Sequence, residues 1–352
     1  MGTFFHKYLN NLLAQNKPFV AFNYPNSDVL EVVVQKDDSL NYTTDYSEEG
    51  FFMAPFKTSE KTILIPFDKS EIKKFSLIEV VKEVTKPTSK KTILSSSLSQ
   101  KNYTNTIKKA QEKIQKNEFD KVVLSRQITR SYNQKEASQV FVRLLKNYPN
   151  TFRYLWYHPK KGLWLGATPE ILFEIKDSYF ETMALAGTQK VKEESDLSWG
   201  AKEIQEQQYV TDYISKVLSD IKIPLRKSDT FNLKAGDLWH ICTKISGKLA
   251  TQIELKNIVK ALHPTPAVAG LPKQKAIDFI LENEQYNRCF YTGFLGVLNK
   301  EKESRLFVNL RCMQVKNNEA HVYVGGGITK ESIPEAEWQE TEDKSQTLLK
   351  LL

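Results

Sequence analysis

Short apolar runs, alternating or continuous, recur along the chain and predict strands. They cover residues 121–128, 152–157, 163–165, 171–175 and 179–185, many of them β-branched or aromatic and bounded by Gly, Pro or Asn, while upstream residues 19–22 and 29–34 are short mixed segments. Residues 305–315 and 320–324 flank Lys316-Asn-Asn-Glu319 and predict a hairpin. Apolar positions three and four apart predict helices over about 102–117, 201–221, 254–262, 273–286 and 333–352. Successive strands joined by short turns favour antiparallel pairing, which predicts an α+β fold over alternating βαβ units. The polar stretch Lys86-Pro-Thr-Ser-Lys-Lys91, followed by Ser95, Ser96 and Ser97, separates residues 1–98 from a main body, 99–352. The upstream portion is expected to complete the sheet of one integrated domain.

Two helices break their own apolar pattern. The stripe Val210, Ile214, Val217, Ile221 continues backward onto Glu206 and Glu203. In the last helix Ser332 and Glu335 have capping-box spacing, and the stripe Leu351, Leu348, Lys344 runs back to Glu340 and Glu337. Four converging carboxylates repel one another unless a cation joins them, and their hard oxygens suit Mg²⁺. Periodicity does not establish the convergence, and a solvated helix end gives the same pattern. Gly325, Gly326 and Gly327 follow a predicted strand, where backbone N–H groups could approach a carboxylate or simply form a tight turn. They match neither Walker A nor G-x-G-x-x-G, so nucleotide binding is not supported. Lys121, opening a strand, and Glu170, after Gly166-Ala-Thr-Pro169, are candidate acid–base groups. His240-Ile-Cys242 lacks the further partners zinc needs, which leaves packing as its use.

The 352 residues are 40% apolar and 26% charged, a globular balance that excludes wholesale disorder. A formal charge of +8 could attract nucleic acid, anionic lipid or a small polyanion, or reflect no more than a Lys-rich proteome. Lys108, Lys109, Lys113 and Lys116 lie on a helix whose other face is apolar, a solvated surface more than a nucleic-acid site. Cys242, Cys289 and Cys312 are an odd, sparse set that fits a reducing cytoplasm. No run approaches the ~18 apolar residues of a membrane span, and the first residues lack an apolar signal core. A soluble cytoplasmic protein is expected.

Taken in order, the motifs resemble the chorismate-utilising enzymes, the group of anthranilate, aminodeoxychorismate, salicylate and isochorismate synthases. They are Phe119-Asp-Lys-Val-Val-Leu-Ser-Arg126, Gly166-Ala-Thr-Pro-Glu-Ile-Leu172, Leu185-Ala-Gly-Thr188, Lys202-x-x-x-Glu206-x-x-x-Val210 and His263-Pro-Thr-Pro-Ala-Val-Ala-Gly270. Tyr291-Thr-Gly293, Asn309-Leu-Arg311, Gly325-Gly-Gly-Ile328 and Glu337-Trp-x-Glu340-Thr-x-x-Lys344 complete the series. The resemblance implies the fold of anthranilate synthase component I, with large, mainly antiparallel sheets packed face to face and helices outside.

Lys121 and the His-Pro-Thr-Pro-Ala-Val segment resemble isochorismate synthases, with salicylate synthase as the alternative. Gln207 replaces the family's usual His, and Gln189 a frequent Arg. The implied reaction adds water at C2 of chorismate and expels the C4 hydroxyl, with Lys121 as base and Glu170 as acid. That division of labour requires a depressed Lys pKa and a raised Glu pKa. By the same resemblance Glu206 and Glu340 would hold Mg²⁺, with Glu203 and Glu337 nearby. Gly187, Thr188, Tyr291, Arg311, Gly325, Gly326, Gly327 and Lys344 would hold substrate. Isochorismate of this kind feeds menaquinone or siderophore biosynthesis. The expected partner is chorismate, with no nucleic acid and no membrane, and the chain is expected to be a monomer.

Overall fold

The computed structural model describes residues 4–85, 93–96, 100–235, 238–250 and 254–352. The polar seam at 86–91 and Ser97 lie outside the described residues. Two ten-stranded antiparallel sheets form the body. The first runs, in order, Gly270–Leu271, Lys121–Ser131, Glu319–Ile328, Cys312–Lys316, Gly162–Thr168, Phe152–His158, Phe19–Asn23, Val29–Gln35 and Ser70–Ser76, with Ile93–Ser96 also paired to Lys121–Ser131. The second runs Arg226–Lys227, Leu238–Lys248, Tyr179–Gln189, Ile171–Lys176, Glu303–Val308, Phe294–Lys300, Gly50–Ala54, Ile63–Pro66 and Asn41–Tyr42, with Phe231–Ala235 also on Leu238–Lys248. Strands from the first 76 residues thus extend the far end of both sheets.

Period-two alternation decides which way each strand faces. In Phe152–His158, Phe152, Tyr154 and Trp156 point between the sheets, where they meet Phe51, Met53, Leu295 and Phe307 of the second sheet. Leu155 and Tyr157 point outward, onto Phe5, Leu9, Phe141 and Leu144 of the helices Phe5–Ala14 and Ala137–Asn147. Phe173, Phe180 and Ile245 on the outer face of the second sheet are covered by Val210, Ile214 and Leu218 of helix Ala201–Asp220 and by Ile258 and Leu262 of helix Leu255–Leu262. The result is four layers, helices–sheet–sheet–helices, which is why so many strands are apolar on both faces.

Two expectations are corrected. Residues 305–315 are not one strand: Glu303–Val308 belongs to the second sheet and Cys312–Lys316 to the first. No Gly or Pro marks the break, because the bend is made by Arg311 at φ 47° and by Asn309, whose amide donates to Phe290 O while its Oδ1 accepts from Tyr154. The hairpin beyond it turns on Asn317 and Asn318, both at positive φ as a two-residue turn requires. The last helix starts at Pro334 with Ile333 as its N-cap and no capping box. Ser332 Oγ instead accepts from Thr329 N–H at 3.1 Å, while Glu335 is exposed.

The chain also passes from the first sheet to the second at Pro169-Glu170, beside the crossing at Asn309–Arg311. The two crossings are laced together: Val308 N–H donates to Glu170 O at 2.9 Å, and Ala167 N–H to Arg311 O at 3.1 Å. Thr168 Oγ1 donates to Val308 O at 2.6 Å. Crossing segments cannot join a ladder, so their side chains are free to face one another at the mouth between the sheets.

Candidate active site

A cleft of about 770 Å³, its open mouth included, lies over these crossings. Glu170, Gly187, Thr188, Glu206, Tyr291, Arg311, Gly325, Gly326, Gly327, Glu340 and Lys344 line it. Lys121 and Glu337 stand directly behind that lining. Glu203 is not brought in: its carboxylate accepts from Gly200 N–H at 3.0 Å and caps its own helix. Its place on the inward stripe was compatible with either use.

Lys121 begins the strand Lys121–Ser131 and is 0% exposed. Its Nζ is 2.9 Å from Glu206 Oε1, an ion pair without an aligned hydrogen bond. Burial would raise the Glu206 carboxyl, but Lys121 and Lys202 outweigh it and hold the group below its usual range. Glu170 is the opposite case. Burial pushes it up to about 8 despite the opposing charges of Lys121, Lys344 and Arg311, so it is protonated at neutral pH.

Arg311 Nη2 donates to His240 Nε2 at 2.6 Å, and His240 Nδ1–H donates to Gly187 O at 2.9 Å. Gly187, at φ 70°, sits in an irregularity of the Tyr179–Gln189 ladder that turns this carbonyl toward the imidazole. Burial and the neighbouring Arg311 push His240 well below its ordinary value, which fixes it as the neutral acceptor the guanidinium needs. Sequence reading gave His240 to packing; nothing in local spacing ties it to Arg311, 71 residues away. Tyr291 stacks on Tyr323 at 5.3 Å between centroids, with its hydroxyl 3.0 Å from where a side chain on Gly325 would begin. Thr292 beside it takes φ 60°, rare for a β-branched residue and typical of a held site.

The acids of the two helix starts are interleaved with lysines. Lys202 Nζ lies 2.8 Å from Glu337 Oε1 and 3.9 Å from Glu340 Oε2. Lys344 Nζ lies 2.6 Å from Glu340 Oε1 and donates to Gly325 O at 3.1 Å. Among the described residues no three acidic, imidazole or thiol side chains already enclose an ion position. Yet Glu337 is 2% exposed and its Oε2 has no aligned hydrogen bond. Burial and the adjacent Glu340 push it up to about 7, against the pull of Lys202. A buried, unsatisfied carboxylate oxygen beside a second carboxylate is a hard donor set, and in kind it fits a divalent cation.

Fold and site together define a cleft between two antiparallel sheets, lined by carboxylates and by cationic side chains. The chorismate-binding enzyme family matches residues 53–352, and the chain belongs to it. Similarity extends to isochorismate synthase EntC of Escherichia coli (strain K12), 31% identical over 245 residues that cover 66% of this chain and 62% of that protein. Isochorismate synthase MenF of Haemophilus influenzae is 30% identical over 70% of this chain and 59% of its own length. Anthranilate synthase component 1 of Lactococcus lactis is 28% identical over 73% and 58%. The matched stretch therefore spans less than two thirds of these relatives. In three dimensions the chain superposes on the menaquinone-specific isochorismate synthase MenF from Escherichia coli with a TM-score of 0.77 at 23% identity, covering 95% of this chain and 88% of that one. It superposes on anthranilate synthase component I from Streptococcus pneumoniae with a TM-score of 0.70 at 19% identity, covering 94% and 90%. The fold is theirs: α+β, with two large antiparallel sheets.

Proposed function

We propose that this chain is an isochorismate synthase that converts chorismate to isochorismate with Mg²⁺. The observation that carries the reading is the pairing, at one cleft, of a wholly buried amine lacking an aligned hydrogen bond with a buried carboxyl kept protonated. Water is a poor nucleophile and hydroxide a poor leaving group, so each end of the reaction needs a proton moved. Lys121 is placed to take the proton of the water that adds at C2. Glu170 gives its proton to the departing C4 hydroxyl. Arg311, oriented by His240, offers a planar fork to a substrate carboxylate, and Tyr291 with the backbone at Gly325–Gly327 closes that side. Thr188 and Lys344 face the ring side. Gly187 shapes the wall there.

Glu206, Glu340 and Glu337 would hold Mg²⁺, which would supply charge neutralisation and orientation of a substrate carboxylate. Three unpaired cysteines support a cytoplasmic location, and no described helix is long and apolar enough to cross a membrane. The product would serve menaquinone or siderophore biosynthesis. A monomer needing no macromolecular partner completes the proposal.

The test is incubation of the protein with chorismate and Mg²⁺, with and without EDTA, and product analysis by liquid chromatography with mass detection. A metal-dependent product isomeric with chorismate is expected. Salicylate with pyruvate would replace this reading by salicylate synthase, and binding without turnover would replace it by a chorismate sensor.

A further inference from the structure

The charges around the acid cluster balance without any metal. Glu206, Glu337 and Glu340 are met by Lys121, Lys344 and Lys202, within 2.9, 2.6 and 2.8 Å of a carboxylate oxygen respectively. A divalent cation added to this set would leave two uncompensated positive charges in a largely buried space, which is costly. Withdrawal of one lysine removes one of these charges, and arrival of a dianion removes both. Lys121 is wholly enclosed and Lys344 is also anchored to Gly325 O. Lys202 has neither restraint. It sits in the first turn of helix Ala201–Asp220, between exposed Ala201 and half-buried Glu203, and its side chain keeps 15% of its surface in solvent. Its stem is long enough to carry the ammonium out to water.

We propose that Lys202 is a tethered counter-cation, which holds the space between Glu337 and Glu340 in the empty enzyme and must leave it for a divalent ion to bind. The inference rests on the acid cluster being the metal site. In the empty enzyme the ammonium relieves the repulsion between the two carboxylates, which favour its charged form strongly enough to outweigh burial. Metal binding is then an exchange of one cation for another, and free-enzyme affinity is set below what the carboxylates alone would give. A dianionic substrate adds two negative charges to the cleft and so favours the doubly charged ion over the singly charged lysine.

The experiment is a Mn²⁺ titration followed by electron paramagnetic resonance of the free ion, on the full chain without substrate. Lys202→Met is expected to bind Mn²⁺ at least tenfold more tightly than wild type. Equal or weaker binding would overturn the proposal. Because the variant could be unstable without metal, wild type is also subjected to reductive methylation and peptide mass analysis. Lys202 labelling should rise several-fold with saturating Mn²⁺, and unchanged labelling would likewise overturn the proposal. Glu340→Gln separates the two levels of argument. If it weakens Mn²⁺ binding while Lys202→Met does not tighten it, only the exchange is wrong. If wild type and both variants bind Mn²⁺ alike, the acid cluster is not the metal site and both readings fall.

Discussion

Lys121 Nζ and Glu206 Oε1 stand 2.9 Å apart in a space kept open by the missing side chain of Gly327. The pair couples proposed catalysis to stability, because either partner alone is a buried, uncompensated charge. Lys121→Ala is expected to lower turnover by about 10²–10⁴-fold, the usual range for a lost acid–base group. It should also destabilise the fold by roughly 3–5 kcal/mol, since it strands the Glu206 carboxylate. The double variant Lys121→Met with Glu206→Gln should recover most of the melting temperature and none of the activity. Recovery of both would mean that Lys121 does no chemistry.

Gly327→Ala tests the same space from the opposite strand. A Cβ there would begin 2.2 Å from Glu206 Oε1 and 3.0 Å from Lys121 Cε. The pair must move, so activity should fall at least tenfold and the melting temperature should drop. At Gly326 the nearest atom, Glu337 Oε2, is 3.1 Å away at the end of a side chain, and Gly326→Ala should be milder on both counts. Thermal melts and turnover on the two variants side by side decide it.

Much of this site was legible because its elements announce themselves locally. Carboxylates on an otherwise apolar helix stripe singled out Glu206, Glu337 and Glu340, and the strands and the Asn-Asn hairpin follow from alternation and turn chemistry. What escaped depends on contacts between distant segments. Glu203 and Glu206 share a stripe, yet one caps its helix and the other faces Lys121, a choice fixed by the opposing strand. The break at Asn309–Arg311 is hidden because apolar residues continue on both sides of it. Ser332 and Glu335 have the spacing of a cap, but Pro334 already starts the helix and the Ser332 hydroxyl oxygen accepts from Thr329 N–H instead. Lys202 enters the sequence reading only as the start of the motif that leads to Glu206, and its place beside Glu337 and Glu340 depends on the last helix lying against it.

The protonation of Glu170 sets an alkaline limit. Its carboxyl is pushed up to about 8 from 4.5 by burial, so kcat/KM should fall above about pH 8 as the acid is lost. Glu170→Gln should reduce turnover by about 10²–10⁴-fold. The sign for stability follows from the same shift. The folded protein binds this proton more tightly than the unfolded chain, so the contribution is full below pH 4.5 and is lost as pH rises through about 8. Relative to Glu170→Gln, wild type should therefore lose melting temperature between neutrality and pH 9. Parallel profiles would place the titrating group elsewhere.

His240 reaches the substrate only through Arg311, which makes its variants a test of positioning. The imidazole accepts from Arg311 Nη2 and donates to Gly187 O, so one ring fixes both the guanidinium and the bulged wall of the cleft. Held neutral by burial and by Arg311, it should contribute no inflection near pH 6.5. His240→Ala should raise KM for chorismate by about ten- to a hundredfold, with a smaller change in kcat, because a loose guanidinium loses much of its alignment with a carboxylate. Arg311→Lys should resemble it, since a point charge lacks the planar fork. Steady-state kinetics on both variants and on the double variant close the argument. If His240 acts by orienting Arg311, the double variant should be scarcely worse than Arg311→Lys alone, whereas fully multiplicative effects would give the imidazole a separate contact with the substrate.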